Sequence, residues 1–167
     1  LTSEAYRKGY KAVVSTIDQD SQSPLSPLKS VNYLNHILAR REAIAAGANE
    51  AILLNERGLL CEGSTGNIFL ISHGKLITPD IESGCLPGIT RQVVIELARG
   101  LGIKLDQREV RLEELLSADE AFLTNSMIEL MPLVEVNNRR ISGGKVTLRL
   151  MQAYKETVIK EIKTGAE

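Results

Sequence analysis

The sequence predicts one α/β domain built on a mixed, irregular sheet or partial barrel with flanking helices. Three observations support this fold class. Short β-branched segments alternate with segments of helical periodicity, no repeat or linker divides the chain, and 167 residues suit one domain. Apolar residues make up 43% and charged residues 25%, so the chain can bury a core and disorder is not expected.

The chain is predicted to begin with a strand, an irregular loop and a helix. Residues 11–17 are β-branched and predict the strand, whereas residues 18–28 are polar, contain two prolines and predict the loop. Residues 31–46 have apolar positions at helical spacing, and Gly47 can end this helix. These apolar positions are Val31, Leu34, Ile37, Leu38 and Ala45.

The rest of the chain is predicted to alternate strands and helices. An antiparallel meander is predicted from short strands at residues 50–54, 59–61, 67–72 and 76–78. A Pro- and Gly-rich loop, residues 79–88, precedes a helix over residues 90–99, which Gly100 or Gly102 ends. The predicted elements after it are strands at 103–110, 121–124 and 133–136, a short helix at 112–117 and an amphipathic helix at 146–162.

Charge and residue spacing exclude several classes of function. The formal net charge is −1, so neither nucleic acid nor an anionic membrane is an expected partner. Charged residues interrupt every apolar stretch, so no membrane span is predicted and a cytoplasmic location is expected. Cys61, Cys85 and the two histidines lack metal-ligand spacing, so no metal site is predicted and both thiols are expected to be buried.

The first candidate site segment surrounds Lys29, which lies between Pro27-Leu28 and the predicted helix. A lysine that loses solvation near a helix N-terminus favours its neutral amine, which can attack a carbonyl and form a Schiff base. The alternative is an exposed lysine that flanks a helix.

The second segment, residues 61–69, places Glu62 at the end of a short strand, followed by Gly63 and Gly66. Glycines let the backbone approach a flat ligand, and an anchored carboxylate can hold a heterocyclic nitrogen in its protonated form. A polar β-turn is the alternative. A lipase-type nucleophile elbow is excluded because Gly63 adjoins Ser64 directly.

The third segment, residues 84–91, is a Pro-Gly turn before a helix, whose free amides and Thr90 hydroxyl can bind phosphate. Residues 122–126 offer further small polar donors, whereas the acidic pairs at 113–114 and 119–120 are predicted to be solvated. A reactive lysine, an anchoring carboxylate and phosphate-binding turns together meet the needs of pyridoxal phosphate.

Four motifs in order give the sequence a specific resemblance over residues 10–161. They are residues 28–34, 62–69, 86–91 and 118–126, the last followed by Pro132. The sequence resembles the large, C-terminal domain of class IV, fold-type IV pyridoxal-phosphate enzymes. That family includes branched-chain aminotransferases, D-amino acid aminotransferases and 4-amino-4-deoxychorismate lyase. The resemblance implies a D-amino acid aminotransferase-like large domain and pyridoxal 5′-phosphate as cofactor.

The resemblance also implies roles for individual residues. Lys29 would form the internal aldimine and move the proton between substrate and cofactor, and Glu62 would pair with the pyridine nitrogen. Leu86 would pack on the ring, and Ile89 and Thr90 would bind phosphate. The further contacts to phosphate or to the substrate carboxylate are expected from Asn125 and Ser126, whereas Asn67 is expected to be structural.

Family members carry a smaller N-terminal domain that supplies an Arg to the phosphate and shapes the substrate pocket. The chain begins at Leu1 rather than Met, so residues 1–167 are predicted to be the single cofactor-binding domain without that small domain. The isolated domain is therefore expected to lack a complete active site. Residues 17–20 also lack the basic residues that many relatives have there.

The resemblance favours transamination of a small branched-chain or D-amino acid, with amino acids and 2-oxo acids as substrates. One alternative is 4-amino-4-deoxychorismate lyase activity, which eliminates pyruvate and gives p-aminobenzoate. Another is a truncated, inactive cofactor-binding or scaffold domain. A homodimer is implied by the resemblance alone.

Overall fold

The computed structural model describes residues 2–164, which form one nine-stranded mixed sheet with helices packed against it. No helix in this range combines the length and apolar character needed to cross a membrane. The helices are α1 Ser3–Lys8, α2 Leu34–Ala45, α3 Ile89–Gly100, α4 Leu112–Leu116 and α5 Lys145–Thr164. The strands are β1 Tyr10–Val14, β2 Glu50–Leu54, β3 Leu60–Gly63, β4 Asn67–Ser72, β5 Lys75–Pro79, β6 Leu105–Arg108, β7 Glu120–Asn125, β8 Glu129–Val136 and β9 Arg139–Arg140.

The strand order is β3-β2-β1-β8-β7-β4-β5-β6, and β9 pairs with β8. Strand β1 runs parallel to β2 and β8, and β5 runs parallel to β6, whereas the other pairs are antiparallel. The amide of Leu60 donates to the carbonyl of Val110 at 2.8 Å, and Leu59 pairs with Arg111. The chain beyond β6 thus meets β3, so the sheet curls into a half-barrel, and the predicted partial barrel with flanking helices is confirmed.

Both faces of the central strand β4 are buried, because successive side chains point to opposite faces of a sheet. Ile68 and Leu70 belong to one apolar cluster with residues of β7 and β8. Phe69 and Ile71 belong to a second, in which the Phe69 and Phe122 rings stack with centroids 5.0 Å apart. This second cluster also contains residues of α3 and α5, which therefore cover one face of the sheet.

The predicted antiparallel meander is wrong at its centre. Strands β2–β3 and β4–β5 form antiparallel pairs, but β3 and β4 do not pair with each other. The second edge of β4 is instead occupied by β7, a strand distant in sequence. Local patterns contain no information on such distant pairing. The first predicted strand also ends early, at Val14.

Helix α2 begins three residues later than predicted, and its apolar stripe faces outward. Leu34 and Ile37 are exposed, whereas the buried positions of this helix are His36, Ala39 and Ala43. Small alanine side chains let the helix lie close to β2 and β3, and this packing decides which face is buried. Gly47, with φ of +72°, follows the helix as predicted.

Glu120 is buried rather than solvated, contrary to the prediction for residues 119–120. Its two carboxylate oxygens accept hydrogen bonds from the amides of Val146 (3.1 Å) and Thr147 (2.8 Å) in the first turn of α5. A carboxylate at this end satisfies amides that have no acceptor within the helix and interacts favourably with the helix dipole. Glu120 thus joins α5 to β7.

We expect Glu120→Ala to lower the free energy of unfolding by about 1–2 kcal/mol, because a half-buried and a buried amide at the start of α5 lose their acceptor. Urea denaturation monitored by circular dichroism measures the change. Glu82→Ala, which truncates an exposed acidic side chain, serves as control and is expected to stay within about 0.5 kcal/mol of the parent protein. Equal stability of the two variants would contradict the capping role.

Candidate functional site

A cavity of about 350 Å³ lies where β3, β4 and β7 meet the loop before α2 and the start of α3. All seven site residues predicted from the sequence line it: Lys29, Glu62, Leu86, Ile89, Thr90, Asn125 and Ser126. The other lining residues are Pro27, Tyr33, Thr65, Gly66, Asn67, Pro87, Gly88 and Thr124. Segments far apart in sequence therefore converge on one concave site.

Glu62 is the buried charge of the cavity, with 2% of its surface exposed. Its Oε2 accepts hydrogen bonds from Nδ2 of Asn67 and the amide of Leu86, both at 3.2 Å, and its Oε1 lies 3.4 Å from Nε2 of His36. Burial raises the pKa of Glu62, while its contact with His36, the hydrogen bond from the amide of Leu86 and the charge of Lys29 act in the opposite direction. Such a carboxylate favours a cationic partner.

Asn67 and Gly88 fix the position of Leu86 beside this carboxylate. Besides its bond to Glu62, the Asn67 side chain donates to the carbonyl of Leu86 at 2.8 Å. A Cβ atom at Gly88 would collide with the Asn67 side-chain oxygen, so this position requires glycine. The structural role expected for Asn67 thus includes holding two cavity residues.

Lys29 lies in the loop between β1 and α2 and is exposed. Its Nζ is 5.5 Å from the centroid of the Tyr33 ring, and the Tyr33 hydroxyl donates to the carbonyl of Ser64 at 3.2 Å. The expected apolar surroundings of Lys29 are wrong, because Pro27 and Leu28 are themselves exposed in this loop. The lysine faces the cavity without being desolvated by its sequence neighbours.

The far side of the cavity is formed by the start of α3. Gly88 precedes this helix and contributes no capping side chain, so the first-turn amides have no acceptor within the helix. Thr90 is buried in this first turn. A helix start with free amides and a hydroxyl is a suitable environment for a phosphate group.

The residues after β7 complete the wall. The Asn125 side chain donates to the carbonyl of Thr65 at 2.9 Å and accepts from the amides of Met127 and Ile128, so it shapes the turn beside Ser126. The Thr124 hydroxyl is buried and has no hydrogen-bond partner among residues 2–164. Sequence reasoning missed Thr124 and Tyr33 as cavity residues, although both lie within the motifs it quoted.

The raised pKa of Glu62 predicts a pH-dependent stability difference for the cofactor-free protein. Below the ordinary Glu value of about 4.5, both folded and unfolded states are protonated. As pH rises above it, the unfolded state ionises first, so the folded state loses relative stability. We expect Glu62→Gln, which cannot ionise, to gain stability relative to the parent protein between pH 4 and pH 7.

Chemical denaturation across this pH range measures the effect, with Glu114→Gln as the matched control. The hydrogen bond from Arg108 lowers the pKa of Glu114, so ionisation there stabilises the folded state, and this contribution is lost as pH falls. The control is therefore expected to lose relative stability only as pH rises to about 4.5, and to differ from the parent by a constant amount above that pH. The same slope in both variants would contradict the assignment for Glu62.

Comparison with known proteins gives consistent matches. The model of the family described as amino-transferase class IV matches residues 2–136. The branched-chain-amino-acid aminotransferase of Pseudomonas aeruginosa is 41% identical over 138 residues, covering 81% of this chain and 45% of that protein. Its counterpart from Escherichia coli K12 is 35% identical over 159 residues, covering 92% of this chain and 52% of that protein.

Solved structures agree with the sequence matches. The branched-chain aminotransferase of Thermoproteus uzoniensis with norvaline matches at a TM-score of 0.88 and 39% identity, covering 92% of this chain and 52% of that one. The "Putative 4-amino-4-deoxychorismate lyase" of Legionella pneumophila matches at 0.86 and 31%, covering 89% and 56%. The chain thus spans about half the length of the relatives that it matches.

Proposed function

The chain belongs to the amino-transferase class IV family, and from this we propose that it acts in pyridoxal-phosphate-dependent transamination of branched-chain amino acids. The observation that carries the proposal is the convergence of Lys29, Glu62 and Thr90 on one cavity. An amine, a buried carboxylate and a helix start are the three groups that this cofactor requires.

The cavity residues fit the cofactor chemically. The buried carboxylate of Glu62 calls for a cationic partner, which a protonated pyridine nitrogen provides. The unpartnered hydroxyl of Thr124 can bond a polar group in the cavity. A Cβ atom at Gly66 would collide with the carbonyl of Thr124, so there is no space for a side chain at this position of the cavity wall. Glu62 would hold the ring nitrogen, Leu86 would pack on the ring, and Ile89 and Thr90 would hold the phosphate.

When bound, pyridoxal phosphate supplies an aldehyde for a covalent bond to an amine and a ring that withdraws electrons from the substrate carbon. Lys29 would hold the cofactor through its amine and would move a proton at the substrate α-carbon. Glu62 would keep the ring nitrogen protonated. Asn125 and Ser126 line the same cavity and would contact the phosphate or the substrate carboxylate.

The names of the relatives support branched-chain substrates. With L-leucine, L-isoleucine or L-valine as donor and 2-oxoglutarate as acceptor, we expect formation of the matching 2-oxo acid. The same assay with D-alanine and D-glutamate serves as comparison. The assay uses the native protein, because residues 1–167 span about half the length of the relatives. In that protein, turnover of the D-amino acids alone would overturn the substrate proposal, and absence of turnover with every donor would overturn transamination.

The 4-amino-4-deoxychorismate lyase reaction is the second candidate, supported by the Legionella pneumophila structure. Both reactions begin with proton removal at the substrate α-carbon by Lys29. They differ in the next step, because the lyase expels pyruvate from the ring of the substrate. Release of p-aminobenzoate without an amino acceptor would favour the lyase over the transaminase.

A homodimer is proposed as the assembly. The supporting observation is the exposed apolar surface of α2 and the loop before it, formed by Val31, Leu34, Ile37, Leu38 and Ile44. Light scattering after size-exclusion chromatography is expected to give twice the chain mass. A monomer at all concentrations would contradict this proposal.

We also propose a cytoplasmic location. The supporting observation is that Cys61 and Cys85 are buried free thiols, as expected from their spacing. Thiols persist in the reducing cytosol, whereas secreted proteins more often pair them. Fractionation of cells that express the native protein tests the location.

A further inference from the structure

We propose that His36 is a positioning residue for Glu62: its Nε2–H donates to Oε1 of Glu62, which aims the carboxylate and keeps it ionised toward the ring nitrogen of a bound heterocycle. The hydrogen bond itself is independent of the proposed function, whereas its consequence for the heterocycle rests on that function. The two parts therefore need separate measurements.

The geometry assigns one donor to a carboxylate oxygen that otherwise has none. Oε2 of Glu62 takes two hydrogen bonds, from Asn67 and from the amide of Leu86. Among the described residues, the His36 ring is the group that reaches Oε1, at 3.4 Å. Hydrogen bonds in ligand-free sites are often long and tighten when the ligand binds. Each oxygen of the carboxylate thus has its own partner, Oε1 on α2 and Oε2 on β4 and the loop before α3.

His36 is itself held in place by its neighbours. It lies in the first turn of α2 with 7% of its surface exposed, and its ring stacks on Tyr33 with centroids 4.3 Å apart and planes 13° from parallel. Ala39 and Ala43 pack the same face of α2 on β2 and β3. Because its ring is stacked and its helix is anchored, His36 can orient Glu62 rather than follow it.

The charge environment of Glu62 leaves His36 as its principal buried compensating group. The titratable groups that interact with Glu62 are Lys29 and Tyr33 of the loop before α2, His36 of α2, Cys61 of β3, Cys85 before α3 and Arg91 of α3. Burial raises the pKa of Tyr33, of Cys61 and of Cys85, the last to about 12, so these three stay neutral.

The two cationic side chains of this set, Arg91 and Lys29, make no hydrogen bond to Glu62 within residues 2–164. Arg91 donates to the carbonyl of Pro79 at 2.9 Å and to the side chain of Gln107 at 3.0 Å. Lys29 is exposed and, under the proposed function, binds the cofactor aldehyde. A buried carboxylate without a donor on one oxygen is costly to ionise, so the His36 hydrogen bond favours the charged form.

The hydrogen bond can be tested without any cofactor. The chain has two histidines, and the other, His73, is exposed and provides an internal reference. We expect ¹⁵N-resolved NMR of the imidazole rings at neutral pH to show a proton on Nε2 of His36. A bare Nε2, with the proton on Nδ1 only, would overturn the proposal, because Nε2 could then donate nothing to Glu62.

Two variants separate the hydrogen bond from the packing of the ring. His36→Phe keeps an aromatic ring against Tyr33 but removes the donor, whereas His36→Gln keeps a donor amide but removes the ring. In cofactor-free protein with ¹³C-labelled Glu, we expect the Glu62 carboxyl to ionise at higher pH in His36→Phe and close to the parent pH in His36→Gln. Ionisation at the same pH in all three proteins would overturn the proposal.

Cofactor binding measures the consequence for the ring nitrogen. We expect the Kd for pyridoxal 5′-phosphate to rise about 10-fold or more in His36→Phe and to recover in His36→Gln, a range typical of residues that orient a ligand-binding group. Equal affinity in parent and His36→Phe would overturn this part. If the parent protein binds no cofactor, the proposed function fails, while the NMR result still decides the His36–Glu62 hydrogen bond.

Discussion

Lys29→Ala is expected to lower kcat/KM for transamination by about 10³-fold or more, the upper range for loss of a general acid–base group, because the variant also loses covalent attachment of the cofactor. Lys29 lines the cavity beside Tyr33 and Leu86 and is the lysine among the cavity residues. Its absorbance band with pyridoxal 5′-phosphate is expected to disappear as well. Steady-state kinetics and ultraviolet–visible spectra measure the two effects.

Lys104→Ala is the control, because Lys104 is exposed and does not line the cavity. Its activity and spectrum are expected to match those of the parent protein. An unchanged absorbance band in Lys29→Ala would mean that another amine binds the cofactor. The cavity would then bind a ligand by a different mechanism, and the alternative of an inactive scaffold domain would gain support.

Glu62→Gln is expected to lower kcat by about 10²–10³-fold, the range for loss of one preorganised electrostatic partner. A neutral amide cannot hold the ring nitrogen in its protonated form, so the substrate carbon is less acidic. The same substitution is expected to stabilise the cofactor-free protein at neutral pH, since the burial that raises the pKa of Glu62 no longer opposes folding. Activity and stability thus change in opposite directions at this residue.

Rapid-mixing kinetics of the half-reaction with L-leucine, followed by absorbance, measure the loss. Glu114→Gln is again the matched control, because Glu114 pairs with Arg108 and does not line the cavity. A kcat of Glu62→Gln within twofold of the parent value would contradict the role of this carboxylate. A twofold change corresponds to only about 0.4 kcal/mol in the activation free energy. A loss shared equally by Glu114→Gln would indicate misfolding instead.

Seven of the fifteen residues that line the cavity could be predicted, because each lies in a short motif that its neighbours or the family resemblance define. Glu62 precedes glycines at the end of a strand, and Thr90 follows a Pro-Gly turn. Thr124 lies within the small polar segment 122–126, but only the structure shows that its buried hydroxyl lacks a partner among residues 2–164. His36 carries no such local mark, because a histidine within a helix resembles an ordinary core residue and its relation to the cavity depends on packing between distant elements.

The fold class could also be predicted from local sequence patterns, whereas the pairing of the strands could not. The pattern of residues 67–72 marks β4 accurately, but nothing in it indicates that β7 occupies its second edge. The short elements α1 and β9 were not predicted at all, because a helix of six residues and a strand of two leave little periodicity. The exposure of Leu34 and Ile37 likewise follows from how α2 packs on the sheet.

The most direct test of the cavity as a pyridoxal-phosphate site is borohydride reduction of the protein with one equivalent of cofactor, followed by peptide mass mapping. Lys29 lines the cavity together with Glu62 and Thr90, so the phosphopyridoxyl group is expected on the peptide that contains Lys29. Labelling spread over other lysines, or no labelling at Lys29, would contradict the assignment.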